Sequence, residues 1–145
     1  MKHGSPRATL TTAATFSLLD AALARARDLD VLVHVAVMDS AADLVGFVSC
    51  DGAPRIAATT ARHKAFTAVN TGMPTREWAR YLESIPASEL RIIDKIDGYI
   101  GADGGFPIVE DGLLLGGIGV SGADQERDAA CALAALDALG LTPTR

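Results

Sequence analysis

The sequence has little of several residue types that particular functions require. Aromatic residues make up 5% of the 145 positions, which disfavours an extended surface for stacking bases or sugars. Lys and Arg never form a run longer than a pair, and the formal net charge is −5, so we expect neither nucleic acid nor an anionic membrane as a partner. The longest apolar stretch, residues 113–120, is far shorter than the roughly 20 residues that a membrane-spanning helix needs.

Cysteine is also scarce, and metal-binding patterns are missing. Cys50 and Cys131 are far apart and have no metal-type spacing, so we expect two reduced thiols in a cytoplasmic protein. The first residues have no apolar segment of the kind found in secretory signals. No His-x-Glu or His-x-x-x-His pattern and no Gly-x-Ser-x-Gly pattern occurs. A dedicated zinc site and a hydrolase triad are therefore not expected.

Apolar residues are plentiful, at 49% of the chain, and many of them are alanine. This length and composition predict one domain over residues 9–140, with a flexible N-terminal tail at 1–8 and a C-terminal tail at 141–145. Apolar spacing and turn residues predict the elements. These are a helix over 9–28, a hairpin of strands 31–38 and 44–50, a helix over 56–70 stopped by Gly72, a short helix over 75–83 capped by Thr75, a loop with a helical turn over 86–99, a short strand near Ile108, a strand over 113–120, and a last helix from 121–124 to about 139. Their order predicts an α+β fold with an antiparallel sheet rather than a βαβ fold.

Two glycine-rich segments attract attention as possible ligand loops. Residues 101–105 lack the Lys-Ser/Thr of a phosphate loop and precede a strand, so the segment is expected to allow close backbone approach instead. Residues 116–122 run into the last helix. They allow either tight packing of the strand against a helix or reception of an anion at the helix N-terminus.

Polar residues in predicted core elements are the candidates for chemistry. His34 lies in mid-strand, on the face opposite Val33, Val35 and Val37, either as a satisfied core residue or as a lining residue of a ligand site. Arg62, His63 and Lys64 are consecutive in a predicted helix and cannot all face one pocket. They form either a solvated face or, with Thr67, part of a binding site.

Several fragments in order resemble the GlcG/HbpS family, which includes the C-terminal domain of PduO-type proteins. The fragments are 35–39, 51–54, 61–68, 72–75, 104–108, 111–112 and 117–122. The resemblance implies profilin-like α/β/α layers, with an antiparallel sheet of about five strands covered by helices. It also implies assembly into tetramers or octamers, and haem as a possible ligand.

The resemblance does not place the iron ligand at one motif position. Candidates by chemistry are His34, Met38, His63, Met73 and Tyr99. The chain departs from the family pattern at 40–43, 103–106 and 121–123. These departures are expected to narrow or reshape the pocket.

Three functional hypotheses remain at this point. The first is a protein that binds haem or another planar small molecule, with the ligand contacts Arg62, His63, Thr67, Gly104, Gly105, Phe106 and Ser121. The second is an enzyme, an isomerase, hydratase or lyase, that acts on a small organic acid. It would use Lys64 and Arg62 for the carboxylate, His34 or His63 as acid or base, and Asp51 as an orienting group. The third is a structural assembly module.

Overall fold

A computed structural model describes residues 3–145, so Met1 and Lys2, at the start of the predicted tail, lie outside the described residues. Within this range the chain forms five helices and four strands. In chain order they are α1 (Thr12–Asp28), β1 (His34–Asp39), β2 (Leu44–Ser49), α2 (Ile56–Thr71), α3 (Thr75–Ser84), α4 (Ala87–Ile93), β3 (Gly105–Glu110), β4 (Leu113–Ser121) and α5 (Gln125–Ala138).

The four strands form one antiparallel sheet in the order β2-β1-β4-β3. α1 and α5 pack together on one face, and α2 packs on the other face across β1, β4 and β3. α3 lies beside α2 and the β3 edge. The predicted antiparallel sheet with helices on both faces is confirmed, with four strands in place of about five.

Alternation along β1 divides the core as the sequence predicts. Val33, Val35 and Val37 face the larger core under α1 and α5. Ala36 and Met38 face a smaller core under α2. His34 therefore lies on the α2 side of the sheet, because successive side chains of a strand point to opposite faces.

Some helix ends follow local signals in the sequence, and others do not. The Thr11 hydroxyl caps α1 by accepting from Ala14 N at 3.1 Å, and Gly72 ends α2 in the left-handed conformation with φ 68°. The prediction that Thr75 caps α3 is wrong, because Pro74 occupies the cap position and Thr75 is the first residue of the helix. The Thr75 hydroxyl instead accepts from the Gly105 N–H at 3.0 Å.

Glycines let α2 lie directly on the sheet. A Cβ at Gly119 would collide with the Ala61 carbonyl oxygen, and one at Gly117 would lie 2.8 Å from the Ala65 carbonyl oxygen. This supports the tight-packing interpretation of residues 116–122. The same close approach occurs at Gly105, whose Cβ would lie 2.5 Å from the Lys64 carbonyl oxygen.

The two chain ends contribute unequally to the fold. Residues 3–7 are exposed. In the predicted C-terminal tail, Leu141 is buried in the larger core. Thr142 pairs with Val109 beside β3 through two backbone hydrogen bonds of 2.9 and 3.0 Å.

Candidate functional site

The polar residues of α2 divide between a buried face and an outward face. Lys64 and Thr67 are buried against the sheet and its neighbours, whereas Arg62 and His63 are only partly buried. This division follows from the helical period, since residues 64 and 67 lie within one turn of each other. The expectation that the triplet 62–64 cannot face one pocket is confirmed.

Lys64 forms a buried ion pair. Its Nζ lies 3.0 Å from Oδ2 of Asp128 and 2.8 Å from the Val120 carbonyl oxygen, and both charged side chains are at most 3% exposed. Burial lowers the pKa of Lys64 and raises the pKa of Asp128, while their mutual attraction partly offsets both shifts. Lys64 therefore holds a carboxylate of its own chain, not the substrate carboxylate that the enzyme hypothesis assigns to it.

The start of α5 is similarly occupied by carboxylates of the chain. Asp124 caps the helix by accepting from Arg127 N at 3.0 Å. Asp128 Oδ1 accepts from Ala123 N at 2.9 Å. Two amides near this helix N-terminus thus already have carboxylate partners within the chain.

Both ring nitrogens of His34 are engaged within the protein. Nε2 lies 2.8 Å from the Pro54 carbonyl oxygen, and Nδ1 lies 2.7 Å from Oγ of Ser49. Since a carbonyl oxygen only accepts, Nε2 carries a proton. In the neutral ring Nδ1 then accepts from the Ser49 hydroxyl. The Phe47 ring stacks on His34 with a centroid distance of 5.9 Å, so the imidazole belongs to the packing between β1, β2 and the start of α2.

His63 differs from His34 in its exposure and in its hydrogen bonds. Its side chain is partly buried on α2, and no hydrogen bond within residues 3–145 engages its ring. Arg62 lies beside it in sequence and places its guanidinium carbon 5.6 Å from the centroid of the Phe47 ring. Such a cation–π contact holds a positive charge at the outward surface of α2.

An aromatic cluster lies one turn further along α2. The rings of Phe66 and Tyr99 are 5.3 Å apart, and Trp78 lies 5.7 Å from Tyr99 and 5.3 Å from Tyr81. Four of the seven aromatic side chains thus gather in one place. The low aromatic content therefore does not exclude a local aromatic surface.

The segment formed by residues 98–100 connects this cluster to α2. The Thr67 hydroxyl accepts from Ile100 N at 2.9 Å, and the Phe66 ring packs against Gly98, which has φ 99°. Trp78 is 8% exposed, and its Nε1 is the one buried side-chain nitrogen or oxygen in the described part of the chain without a hydrogen-bond partner. Thr67, an expected ligand contact, thus serves to dock this segment.

The other expected ligand contacts lie inside the protein. Gly104, Gly105, Phe106 and Ser121 are all buried. A Cβ at Gly104 would lie 3.0 Å from Nζ of Lys64, and Phe106 is part of the larger core. The backbone at Gly104 and Gly105 is therefore packed against Lys64, Asp128 and Thr75 from neighbouring elements.

The remaining candidates are dispersed. Asp51 is exposed in the turn after β2, Met38 is buried under α2, and Met73 is partly buried after the end of α2. Among residues 3–145, no group of three or more His, Cys, Asp and Glu side chains could hold a metal ion. In the same range no helix is long and apolar enough to cross a membrane.

Sequence reasoning missed Asp128 and the ion pair of Arg76 with Asp103. The Nε of Arg76 lies 2.8 Å from Oδ2 of Asp103, which is 7% exposed. Asp128 lies in the first turn of α5, where an acidic residue is ordinary and gives no sign of burial. Its partner lies 64 positions away in the chain, and no local pattern could have identified it.

Comparison with known proteins identifies the family. A family model described as haem-degrading protein HbpS-like matches residues 10–137. The crystal structure of HbpS is similar with 31% identity, a TM-score of 0.85 and 95% of each chain covered. The structure of a PduOC:heme complex has 26% identity and a TM-score of 0.87, covering 94% of this chain and 99% of that chain.

A third structure, the Klebsiella pneumoniae protein ORFY of family DUF336, has a TM-score of 0.88 over 97% of each chain. Its 24% identity shows the shared fold alone. A comparison with curated protein sequences gives no match. The expected resemblance is confirmed by the family model and by the HbpS structure, and the chain belongs to the HbpS-like family.

Proposed function

We propose that this protein binds haem at the outward surface of α2, with His63 as the iron ligand. The family is described as haem-degrading, and one similar structure is a complex with heme. Imidazole nitrogen is a common axial ligand of haem iron. The choice of His63 rests on one observation: its ring is partly exposed and has no partner within residues 3–145, whereas both nitrogens of His34 have partners.

The neighbours of His63 have the chemistry that a haem requires. Arg62 provides a positive charge for a propionate group. The ring of Phe66, one turn along the same helix face, and that of Tyr99 beside it provide apolar contact for the planar macrocycle. Bound haem would supply the iron centre, while these residues would bind and orient it and exclude water from one of its faces.

Tyr99 and Met73 are secondary candidates for the iron. Both are partly buried; Met73 comes directly after α2, and the Tyr99 ring lies 5.3 Å from the Phe66 ring on α2. Met38 is 7% exposed beneath α2, so it has no access to a ligand at the outward surface. The possible iron ligands at this surface are thus the imidazole of His63, the phenol of Tyr99 and the thioether of Met73.

Titration with haemin tests the proposal. Wild-type protein should give a Soret band distinct from that of free haemin, and His63→Ala should weaken binding roughly tenfold or more and shift the band. His3→Ala is the matched control, because His3 is exposed in the N-terminal segment, and it should titrate like wild type. An unchanged spectrum in His63→Ala would rule out this ligand, and no Soret change in wild type would rule out haem.

The geometry gives the enzyme hypothesis less support. His34 and Lys64 are bound to groups of the chain itself, and Asp51 is exposed in a turn. We also propose a homo-oligomer and a cytoplasmic location. Exposed apolar side chains support the first, and two cysteines without a disulfide support the second.

A further inference from the structure

A cleft lined by leucines lies at the end of the sheet where β3 turns into β4. It encloses about 540 Å³, which is within the roughly 300–1,000 Å³ of typical small-molecule sites. Its lining residues come from the N-terminal segment, α1, the β3–β4 hairpin and the chain after α5, whereas the proposed haem surface is on α2. The leucine cleft is therefore a separate site.

Five leucines converge on the cleft from distant parts of the chain. They are Leu10, Leu113, Leu115, Leu139 and Leu141. Leu10, Leu115 and Leu139 pack against the larger core but are only partly buried, and Leu113 is 56% exposed. Apolar surface thus stays in contact with water inside a concave site, so its burial by an apolar ligand is favourable.

Backbone hydrogen bonds hold the walls of the cleft in place. Leu10 N–H donates to the Leu115 carbonyl at 3.2 Å, which ties the N-terminal segment to β4. Thr142, next to Leu141, exchanges two hydrogen bonds with Val109 of β3. The cleft is therefore formed before a ligand arrives, which lowers the entropic cost of binding.

The charged side chains that line the cleft are both acidic. Glu110 ends β3, Asp111 begins the turn to β4, and both are exposed. Within residues 3–145 neither carboxylate forms a salt bridge. The charge at this cleft is therefore complementary to a cation.

Other polar groups near the cleft are already engaged or lie outside it. The hydroxyls of Thr9 and Thr11 accept backbone N–H groups at 3.2 and 3.1 Å. Arg7 and Arg145 line a neighbouring cleft, which shares Leu113 with this one. The two carboxylates are thus the polar side chains of the leucine cleft that are available to a ligand.

We propose that the leucine cleft binds a small hydrophobic amine, a molecule with a hydrocarbon body and a protonated amino group. The body lies against the leucines, where removal of apolar surface from water favours binding. The ammonium group lies at Glu110 and Asp111, which attract it and would repel the carboxylate of a fatty acid. The proposal does not rest on haem binding, because the two sites use different residues.

Titration of nitrogen-15-labelled protein with octylamine at neutral pH, where the amine is protonated, tests the proposal. Octanoate, a chain of the same length with the opposite charge, is the matched ligand. The amide signals of Leu10, Leu115 and Leu139 should shift with octylamine until they saturate. Octanoate should bind roughly tenfold more weakly.

Variants without the two charges test the ammonium contact. Glu110→Gln combined with Asp111→Asn keeps the shapes of the side chains, and asparagine tolerates the positive φ of 49° at position 111. This protein should bind octylamine roughly tenfold more weakly than wild type. Glu89→Gln combined with Asp94→Asn removes two exposed carboxylates at α4 and should bind like wild type.

Three results would overturn the proposal. The first is the absence of saturable shifts with octylamine, or shifts centred outside the cleft. The second is equal affinity for octylamine and octanoate, and the third is equal octylamine affinity of wild type and the Glu110→Gln, Asp111→Asn protein. His63→Ala should bind octylamine like wild type, so the amine proposal and the haem proposal succeed or fail separately.

Discussion

At the scale of single residues, the buried pair of Lys64 and Asp128 connects three elements. Lys64 comes from α2, Asp128 from α5, and the carbonyl that Lys64 contacts is that of Val120 in β4. Burying two charges costs free energy, which their attraction and hydrogen bonds offset only while both partners are present. The main role of the pair is therefore to fix the positions of α2 and α5 on the sheet. Its net contribution to the free energy of unfolding is small.

Lys64→Met should lower the free energy of unfolding by about 3–5 kcal/mol, because it leaves the Asp128 carboxylate buried without a cation. Lys64→Met combined with Asp128→Leu should recover most of this loss, since neither charge remains. Urea denaturation of the three proteins measures the difference. A double variant that is no more stable than Lys64→Met would show that the ion pair itself makes a large net contribution to the free energy of unfolding.

The pH dependence of Lys64→Met provides a second measurement. Loss of the lysine raises the pKa of Asp128 further above its ordinary 3.8, since the remaining burial already raises it. A carboxyl group whose pKa is raised on folding loses its penalty when it is protonated, so stability increases as pH falls through the raised value. Lys64→Met should therefore lose less stability than wild type, or even gain some, as pH falls from neutral through the raised pKa of Asp128. A larger loss than in wild type would contradict this.

At the scale of elements, the contact between α2 and β4 depends on Gly117 and Gly119 of β4, which have no side chain. Gly119→Ala should lower the free energy of unfolding by about 3 kcal/mol or more, because the added Cβ meets the backbone of α2 and neither element can give way. Gly4→Ala is the control, as no atom lies within 4 Å of a Cβ at that position. Thermal unfolding compares the two. A Gly119→Ala protein with the wild-type transition would contradict the packing described for α2.

The backbone N–H at the start of β3 has the Thr75 hydroxyl as its acceptor. Thr75→Val keeps the shape of the side chain but leaves Gly105 N–H buried without an acceptor, which should cost about 1–3 kcal/mol. Thr75→Ser retains the hydroxyl and should cost less. Chemical denaturation of both variants tests this, and equal losses would assign the effect to the methyl group instead.

Local signals in the sequence predicted most element boundaries. Gly72 and Pro74 mark the end of α2, and the Asp111–Gly112 turn separates β3 from β4. The predicted loop over 86–99 contains the short helix α4, none of whose residues is buried. Without a buried face, α4 has no apolar period for a sequence pattern to detect.

The site was less predictable than the fold because long-range packing decides it. His34 and His63 both qualify by residue type. The carbonyl of Pro54, the hydroxyl of Ser49 and the deeper burial of His34 distinguish them. The aromatic cluster is built from α2, α3 and the polypeptide after α4. No single stretch of sequence contains enough of it to suggest a binding surface.

At the scale of the whole molecule, the sheet separates two different surfaces. The side with α1 and α5 carries the larger core, and the side with α2 carries His63, Arg62 and the aromatic cluster. The proposed haem surface thus lies on the α2 face of the sheet alone.

The proposed binding of haem at α2 is tested most directly by NMR of nitrogen-15-labelled protein. Amide spectra recorded with haemin are compared with spectra recorded with a diamagnetic gallium porphyrin. The paramagnetic iron should broaden the amide signals around His63, Phe66 and Tyr99 selectively. Those of α5, on the opposite face of the sheet, should remain sharp. Broadening centred on α5 or on the β3–β4 turn, with α2 unaffected, would contradict the account.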